Sequence, residues 1–134
     1  MEDKIIIDTN IWVASVNIYE RDNKYALEVI GKTKNKVMPD FILQETINVL
    51  KIKNSHKESA EFYKNILNNK DVTIIKIETH TDDFYDEFFS DENYKLSFVD
   101  SALLRLHKSK YFKVITLDKN LKERLDKIKV KKRN

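Results

Sequence analysis

Short runs of β-branched and other apolar residues alternate along this chain with longer segments of helical periodicity. The predicted strands cover residues 4–7, 36–38, 72–77, 113–116 and 128–130. The predicted helices cover 23–34, 39–50, 56–67, 81–89, a segment beginning at 97 and a last one before 128, and Thr9 and Asn10 can cap a further helix after the first strand. Because parallel strands need long, usually helical connections, this alternation predicts an α/β fold with a mostly parallel sheet between two layers of helices.

The length of the chain favours one domain. At 134 residues it falls within the range of a single folding unit, and 41% of its residues are hydrophobic, which is enough to form one core. We therefore expect residues 1–134 to form one domain.

Glycine and cysteine are almost absent. The single glycine excludes the glycine-rich phosphate loops, so asparagine-containing turns must supply the left-handed backbone positions. The lack of cysteine excludes disulfides, thiolate metal sites and thiol nucleophiles, and three scattered histidines argue against a histidine-rich zinc site. Any metal bound here would need oxygen ligands.

The charge balance limits the kinds of partner. A net charge of +3 excludes a polycation that wraps nucleic acid, and the acidic run at 78–92 and the basic run at 127–133 are interpreted as solvated surface. The alternative for the basic run is a position near an RNA path. No apolar run approaches the roughly 18 residues of a membrane span, and the N-terminus does not resemble a secretory signal. We expect a cytoplasmic protein without membrane contact.

Two aspartates follow predicted strands. Asp8 ends the isoleucine run of the first strand, and Asp118 lies two residues after the strand at 113–116. Ligands of open α/β sheets bind at the carboxyl ends of the strands, so both residues are placed where a site would form. The alternative for each aspartate is a role as a helix cap.

Two further acids project from the apolar faces of predicted helices. A helical projection places Glu45 between Phe41 and Val49, and Asp100 between Leu103 and Leu104, with Ser101, Arg105 and Lys108 on the solvent side of the second helix. A buried carboxylate needs a partner, so the alternative for Glu45 is an ion pair with lysine or arginine. The alternative for Asp100 is a capping box with Ser97.

The four acids can share one pocket, because strand ends and the first turns of neighbouring helices meet at one edge of a parallel sheet. Two carboxylates about 5 Å apart repel each other by about 3 kcal/mol at an effective dielectric constant near 20. A divalent cation would compensate this repulsion, and Mg²⁺ or Mn²⁺ suits a site made of oxygen ligands.

Four segments resemble the ordered motifs of PIN-domain nucleases, and the nearest similarity is to VapC-type toxins. The segments are IIIDTNIWVA (5–14), PDFILQETINVL (39–50), LSFVDSALL (96–104) and VITLDKNL (114–121). The resemblance implies that Asp8, Glu45, Asp100 and Asp118 form the catalytic, metal-binding site. It also implies that small polar neighbours orient these acids or contact a metal-bound water; these are Thr9, Asn10, Ser97 and Thr116. The chain departs from the family pattern at Leu121, where an aromatic residue is common, and in the segment after Asp100, which contains His107.

The resemblance implies a Mg²⁺- or Mn²⁺-dependent ribonuclease that is the toxin of a type II toxin–antitoxin pair. Its expected partners are an RNA substrate, a small antitoxin protein and a second copy of the chain, with Trp12, Tyr19 and the aromatic stripe at 84–89 as candidate contacts. Core packing is the alternative role for these aromatic residues. The alternative functions are a housekeeping RNA-processing PIN nuclease and a non-catalytic α/β module that binds RNA or acts in signalling.

Overall fold

The fold is described by a computed structural model, which covers the backbone of residues 3–133 and the side chains of residues 3–128. Within this range four short strands form one sheet in the order β3-β2-β1-β4, and every pairing is parallel. The strands are β1 (Lys4–Ile7), β2 (Lys36–Pro39), β3 (Val72–Ile75) and β4 (Phe112–Ile115). In the central strand, Ile6 pairs with Val37 of β2 and with Val114 of β4.

Helices connect the strands. They are α1 (Thr9–Val16), α2 (Asn23–Lys32), α3 (Asp40–Lys53), α4 (His56–Leu67), α5 (Asp82–Phe89), α6 (Phe98–Lys108) and α7 (Lys119–Arg133), with a short 3-10 turn at Asp91–Asn93. The main helix contacts fall into two groups, α1 to α4 and α5 to α7. The chain moves outward from β1 to β3 and then crosses back to β4, so right-handed connections place the two groups on opposite faces of the sheet. The predicted α/β/α architecture is confirmed.

The core lies on both faces of the sheet. Consecutive residues Ile6 and Ile7 of β1 are both buried, as expected for a strand whose two faces are covered by helices. Ile42 and Leu50 of α3, and Leu103 and Leu104 of α6, are fully buried with them. The apolar faces predicted for these two helices are therefore the ones that pack against the core.

Left-handed backbone positions occur at non-glycine residues. Asn35, immediately before β2, has φ of 55°, as predicted for an asparagine in a glycine-poor chain. Lys110, between α6 and β4, has φ of 73° and was not foreseen. Gly31 lies within α2 and does not take a positive φ.

The predicted strand at 128–130 is wrong, because α7 continues as a helix from Lys119 to Arg133. Three alternating residues are a weak strand signal, and the surrounding lysines and arginines are good helix formers. Two element ends also shift: β3 ends at Ile75 rather than 77, and Pro39 is the last residue of β2, so that α3 begins at Asp40.

None of the described helices is both long and apolar enough to cross a membrane.

Candidate active site

The sheet topology brings the four predicted acids to one edge. Asp8 directly follows β1, and Asp118 lies beyond the end of the neighbouring strand β4. Asp100 lies in the first turn of α6, and Glu45 lies in the second turn of α3, which begins directly after β2. Electrostatic interactions link Asp8 with Asp100 and Glu45, and link Asp100 with Asp118 and Glu45. The acids are therefore neighbours, as their spacing in the sequence predicted.

Asp8 is buried, with 4% of its surface exposed. Its Oδ1 accepts a hydrogen bond from the Thr9 amide at 2.7 Å, and its Oδ2 accepts one from Thr116 Oγ1 at 2.7 Å. Burial raises the pKa of the Asp8 carboxyl from 3.8 to about 6; these two hydrogen bonds oppose the rise, and the charges of Asp100 and Glu45 add to it. The two hydrogen bonds thus stabilise the ionised form of Asp8, whereas its burial and the charges of two neighbouring carboxylates destabilise it.

Asp100 forms the capping box that was its alternative role. Ser97 Oγ accepts a hydrogen bond from the Asp100 amide at 3.1 Å, and Asp100 Oδ2 accepts one from the Ser97 amide at 3.3 Å. The other carboxylate oxygen, Oδ1, accepts no hydrogen bond from a described residue. Burial raises the pKa of Asp100, the bonds with Ser97 oppose this, and the charges of Asp118 and Glu45 add to it. Capping fixes this carboxylate and still leaves one oxygen for another ligand.

The Glu45 side chain is half-buried and makes no hydrogen bond or ion pair with any described residue. Its alternative role, a pair with lysine or arginine, is therefore not observed between residues 3 and 128. Gln44, Asn48 and Lys51 are exposed on the other side of α3, as the helical projection predicted. Glu45 is thus an unpaired carboxylate facing two others.

Asp118 caps α7, because its Oδ1 accepts a hydrogen bond from the Leu121 amide at 2.8 Å. Its own amide donates to Thr116 Oγ1 at 3.0 Å. The side chain does not line the same cleft as the other three acids, although its charge acts on Asp100. The helix-cap alternative is thus observed for Asp118, which lies beside the cleft rather than in its wall.

Thr116 joins the ends of β1 and β4. Its hydroxyl donates to Asp8 and accepts from the Asp118 amide and from Asn10 Nδ2, the last at 3.3 Å. Asn10 Oδ1 in turn accepts from the Leu117 amide at 3.2 Å. Thr9 differs from these neighbours, because its Oγ1 is buried without a hydrogen-bond partner among the described residues. The small polar residues therefore fix Asp8, and Thr9 leaves one polar atom unsatisfied.

A cleft of about 460 Å³ opens at this edge. Asp8, Glu45 and Asp100 line it, together with two acids that the sequence analysis missed, Glu20 and Asp22; the other lining residues are Thr9, Asn10, Val13, Ala14, Val49, Lys53 and Leu117. The sequence shows no periodic signal for Glu20 and Asp22, since both belong to the irregular segment between α1 and α2. Lys53 is the one basic residue in this lining, and its Nζ lies 3.5 Å from Glu20 Oε1.

The donor set suits a hard divalent cation. All the acids offer oxygen, and in the described part of the chain none of the four predicted acids forms a salt bridge. No group of three described Asp, Glu or His side chains lies close enough to ligate one ion directly. Mg²⁺ keeps several waters and commonly takes only one or two carboxylates, so this arrangement fits an ion held partly through water.

Comparison with known proteins agrees with the fold. The family model described as "PIN domain" matches residues 5–127. The chain belongs to the PIN-domain family. Among solved structures, this PIN domain is similar to the crystal structure of Mycobacterium tuberculosis VapC20, described as a sarcin–ricin loop cleaving toxin, with a TM-score of 0.74 and 18% identity over 89% of this chain and 93% of that one. No curated protein matches the sequence.

Some of the predicted contact residues of this PIN domain pack in or against the core, and others are exposed. Trp12 is buried, donates from Nε1 to the Ile7 carbonyl at 3.1 Å and packs edge-on against Phe62, so core packing, its alternative role, is observed. Tyr19 is 90% exposed. In the aromatic stripe, Phe84 packs against the core, whereas Phe89 is 73% exposed.

The two residues named above as departures from the family pattern, Leu121 and His107, are buried in this PIN domain, Leu121 completely. The prediction that Ser101 lies on the solvent side is wrong, because Ser101 is completely buried and donates from Oγ to the Ser97 carbonyl at 2.9 Å. The helix α6 contacts α5, α7 and β4. Fewer of its residues therefore face solvent than in a helix that packs against the sheet alone.

Proposed function

We propose that this PIN domain is an endoribonuclease that hydrolyses RNA phosphodiester bonds with Mg²⁺ or Mn²⁺ bound at the acidic cleft. The observation that carries the proposal is that Asp8, Glu45 and Asp100 line one cleft without a basic partner among the described residues. The family is one of nucleases, which supports cleavage of a nucleic acid, and the similar VapC20 is described as cleaving the sarcin–ricin loop.

Asp8, Glu45 and Asp100 would hold the ion partly through water, with Asp118 contributing its charge from the side of α7. When bound, such a cation lowers the pKa of a coordinated water and neutralises the scissile phosphate and the leaving oxygen. The residues of the chain provide placement. Thr116 and the Thr9 amide fix both oxygens of Asp8, and Ser97 fixes one oxygen of Asp100.

The unpaired groups of the cleft are consistent with this role. Glu45 has no described partner, Asp100 Oδ1 accepts no described hydrogen bond, and Thr9 Oγ1 is buried and unsatisfied. The buried, unsatisfied Thr9 Oγ1 is unfavourable in a fold that serves stability alone, and with the two open carboxylates it supports a ligand in the cleft.

Cleavage of RNA tests the proposal. We expect the purified protein to cut RNA in the presence of Mg²⁺ or Mn²⁺ and to stop when the ions are chelated. Loss of a group that supports a metal ligand typically lowers activity by about 10- to 100-fold. Asp8→Asn changes a proposed ligand itself, so it should reduce the cleavage rate by more than this. Asp71→Asn, an exposed aspartate after α4, is the matched control and should cut at the wild-type rate. Equal activity of wild type and Asp8→Asn would show that the acidic cleft is not the site, and RNA binding without cleavage would favour the non-catalytic module.

We further propose that the protein acts in the cytoplasm as the toxin of a type II pair, as a homodimer inhibited by a small antitoxin. The likeness to VapC20 supports this role, and exposed apolar side chains such as Ile18, Tyr19 and Ile52 offer surface for a protein partner. Induction of the wild type should arrest growth, co-expression of a neighbouring reading frame should restore it, and Asp8→Asn should not arrest. A soluble, RNA-cleaving product that leaves growth unchanged would favour the housekeeping RNA-processing function.

A further inference from the structure

A second groove lies toward the ends of α6 and α7 that are remote from the acids. Its larger part is a cavity of about 420 Å³, lined by Ser90, Glu92, Lys108, Lys110, Arg124, Lys127 and Ile128. Four of these residues are basic and one is acidic, the reverse of the acidic cleft. The sequence of α7 continues this basic character through residues 127–133.

The basic cavity adjoins a smaller one, which is lined by residues close in sequence to Asp100 and Asp118. The smaller cavity, of about 200 Å³, shares Glu92, Arg124 and Lys127 with the larger, and its other lining residues are Tyr94, Lys95, Leu96, Asn120 and Glu123. Leu96 directly precedes Ser97, and Asn120 is two residues after Asp118. We name the two cavities together the α6–α7 groove. It extends from the basic ends of both helices to the edge that carries the acids.

The length of the groove suits several nucleotides. Asp100 and Lys108 are eight residues apart on α6, which corresponds to about 12 Å of helix. The rise along a duplex strand, about 3.4 Å per nucleotide, is a lower limit for a single strand, so at most about three to four nucleotides span this length. A strand with one phosphate at the acidic cleft can therefore reach the basic end of the groove.

Two of the basic residues are fixed by acids of the protein itself. Lys108 Nζ lies 2.9 Å from both carboxylate oxygens of the buried Glu87. Arg124 donates from Nε to Asn93 Oδ1 at 2.9 Å, and its Nη2 lies 3.2 Å from Glu92 Oε2. These contacts hold the wall of the groove in one arrangement, and they use part of the charge of both cations.

Lys110 and Lys127 have no such partner. Both are exposed, and neither forms an ion pair with a described residue. Their charges are available to a phosphate, because binding one would not require either lysine to break an existing ion pair.

Tyr94 adds an exposed aromatic ring to the same groove. The side chain is 79% exposed, and Lys95 Nζ lies 5.6 Å from the centre of its ring. An aromatic ring beside lysines is the arrangement by which proteins bind single-stranded nucleic acid, with bases stacked on the ring and phosphates on the cations.

We propose that the α6–α7 groove binds the single-stranded RNA segment that flanks the cleavage site, with phosphates on Lys110 and Lys127 and a base on Tyr94. The proposal rests on the proposed ribonuclease function, because it assigns the groove to the same substrate. An acidic peptide could use the lysines in the same way, but it has no base to stack on Tyr94, which is why we assign RNA.

Binding measurements on the Asp8→Asn protein test the groove without cleavage. The probe is a fluorescently labelled single-stranded RNA of about 12 nucleotides, a length within the usual range of single-strand sites, followed by anisotropy at several salt concentrations. The pair Lys110→Gln and Lys127→Gln should weaken binding by about 10-fold and lower the slope of log K against log salt by about 1.4, or about 0.7 for each lost phosphate contact. The pair Lys64→Gln and Lys70→Gln, which removes the same charge from α4 and the turn after it, should leave both quantities unchanged.

Substitution of the ring tests the stacking contact. Tyr94→Ala should weaken binding by about 5- to 150-fold at unchanged salt slope, and Tyr94→Phe should restore wild-type affinity. Unchanged affinity and salt slope in the lysine pair would overturn the groove even if the wild type cleaves RNA. Displacement of the RNA by a glutamate peptide of equal charge at equal concentration would also overturn it. Groove-dependent binding by a wild type that cannot cleave would instead contradict the nuclease function and leave the groove in place.

Discussion

At the scale of single residues, Asp8 carries the largest electrostatic penalty in the site. Its folded-state pKa of about 6 lies above the ordinary value of 3.8, so between these pH values the folded state binds more protons than the unfolded state. The destabilisation of the metal-free protein that comes from ionised Asp8 should therefore be fully present above pH 6 and should decrease as pH falls from 6 toward 3.8. The difference between the two pKa values corresponds to a destabilisation of the folded state by at most about 3 kcal/mol.

Unfolding by urea in the presence of a chelator measures this effect. Asp8→Asn should be more stable than wild type at pH 7, and the advantage should shrink as pH falls toward about 3, below both pKa values, where Asp8 is largely protonated in both states. The substitution should also abolish cleavage, so one change raises stability and removes activity. An Asp8→Asn protein that is less stable than wild type at pH 7 would contradict the account of Asp8 as a strained carboxylate.

Thr116 gives a second prediction at this scale, because its hydroxyl holds Asp8 and accepts two further hydrogen bonds. Thr116→Val keeps the shape of the side chain and removes the hydroxyl. We expect a loss of about 10- to 100-fold in cleavage rate, and substantial recovery in Thr116→Ser. Equal losses in both variants would show that Thr116 acts through packing rather than through its hydroxyl.

At the scale of elements, the N-terminus of α6 serves both the fold and the site. Ser97 caps this helix and orients Asp100, whereas Ser55 caps α4 by accepting from the Glu58 amide at 3.0 Å, away from the acids. Ser97→Ala and Ser55→Ala should each lower the free energy of unfolding by about 1 kcal/mol. Cleavage should fall only in Ser97→Ala. A parallel loss of activity in both variants would assign it to helix stability alone.

The elements also show what local sequence can predict. Buried strands ending at polar residues and helices with one apolar face were predictable, and they place Asp8, Glu45 and Asp100 together. The burial of Ser101 was not predictable, because it depends on α5 and α7 packing on the same helix. Glu20 and Asp22 reach the cleft through an irregular segment without periodicity.

At the scale of the whole molecule, charge is divided between two regions of one surface. The acidic cleft and the α6–α7 groove both lie near the N-terminal ends of α6 and α7, because Asp100 lines the cleft and Leu96 and Asn120 line the groove. We expect cleavage to be more sensitive to salt with a long RNA than with a di- or trinucleotide, since only the long substrate reaches Lys110 and Lys127. Rates measured against salt for both substrates check this expectation. Equal salt dependence would show that the groove does not contact the substrate.

The central claim is that the acids tolerate one another because they bind a divalent cation. Melting temperature measured during a Mn²⁺ titration tests it most directly, since an ion that binds only the folded state stabilises it by about 2.7 kcal/mol at 100 times its Kd. The account predicts a melting temperature that rises with Mn²⁺ in wild type and in Asp71→Asn, and that stays constant in Asp8→Asn. A flat response in wild type, or an equal rise in Asp8→Asn, would contradict it.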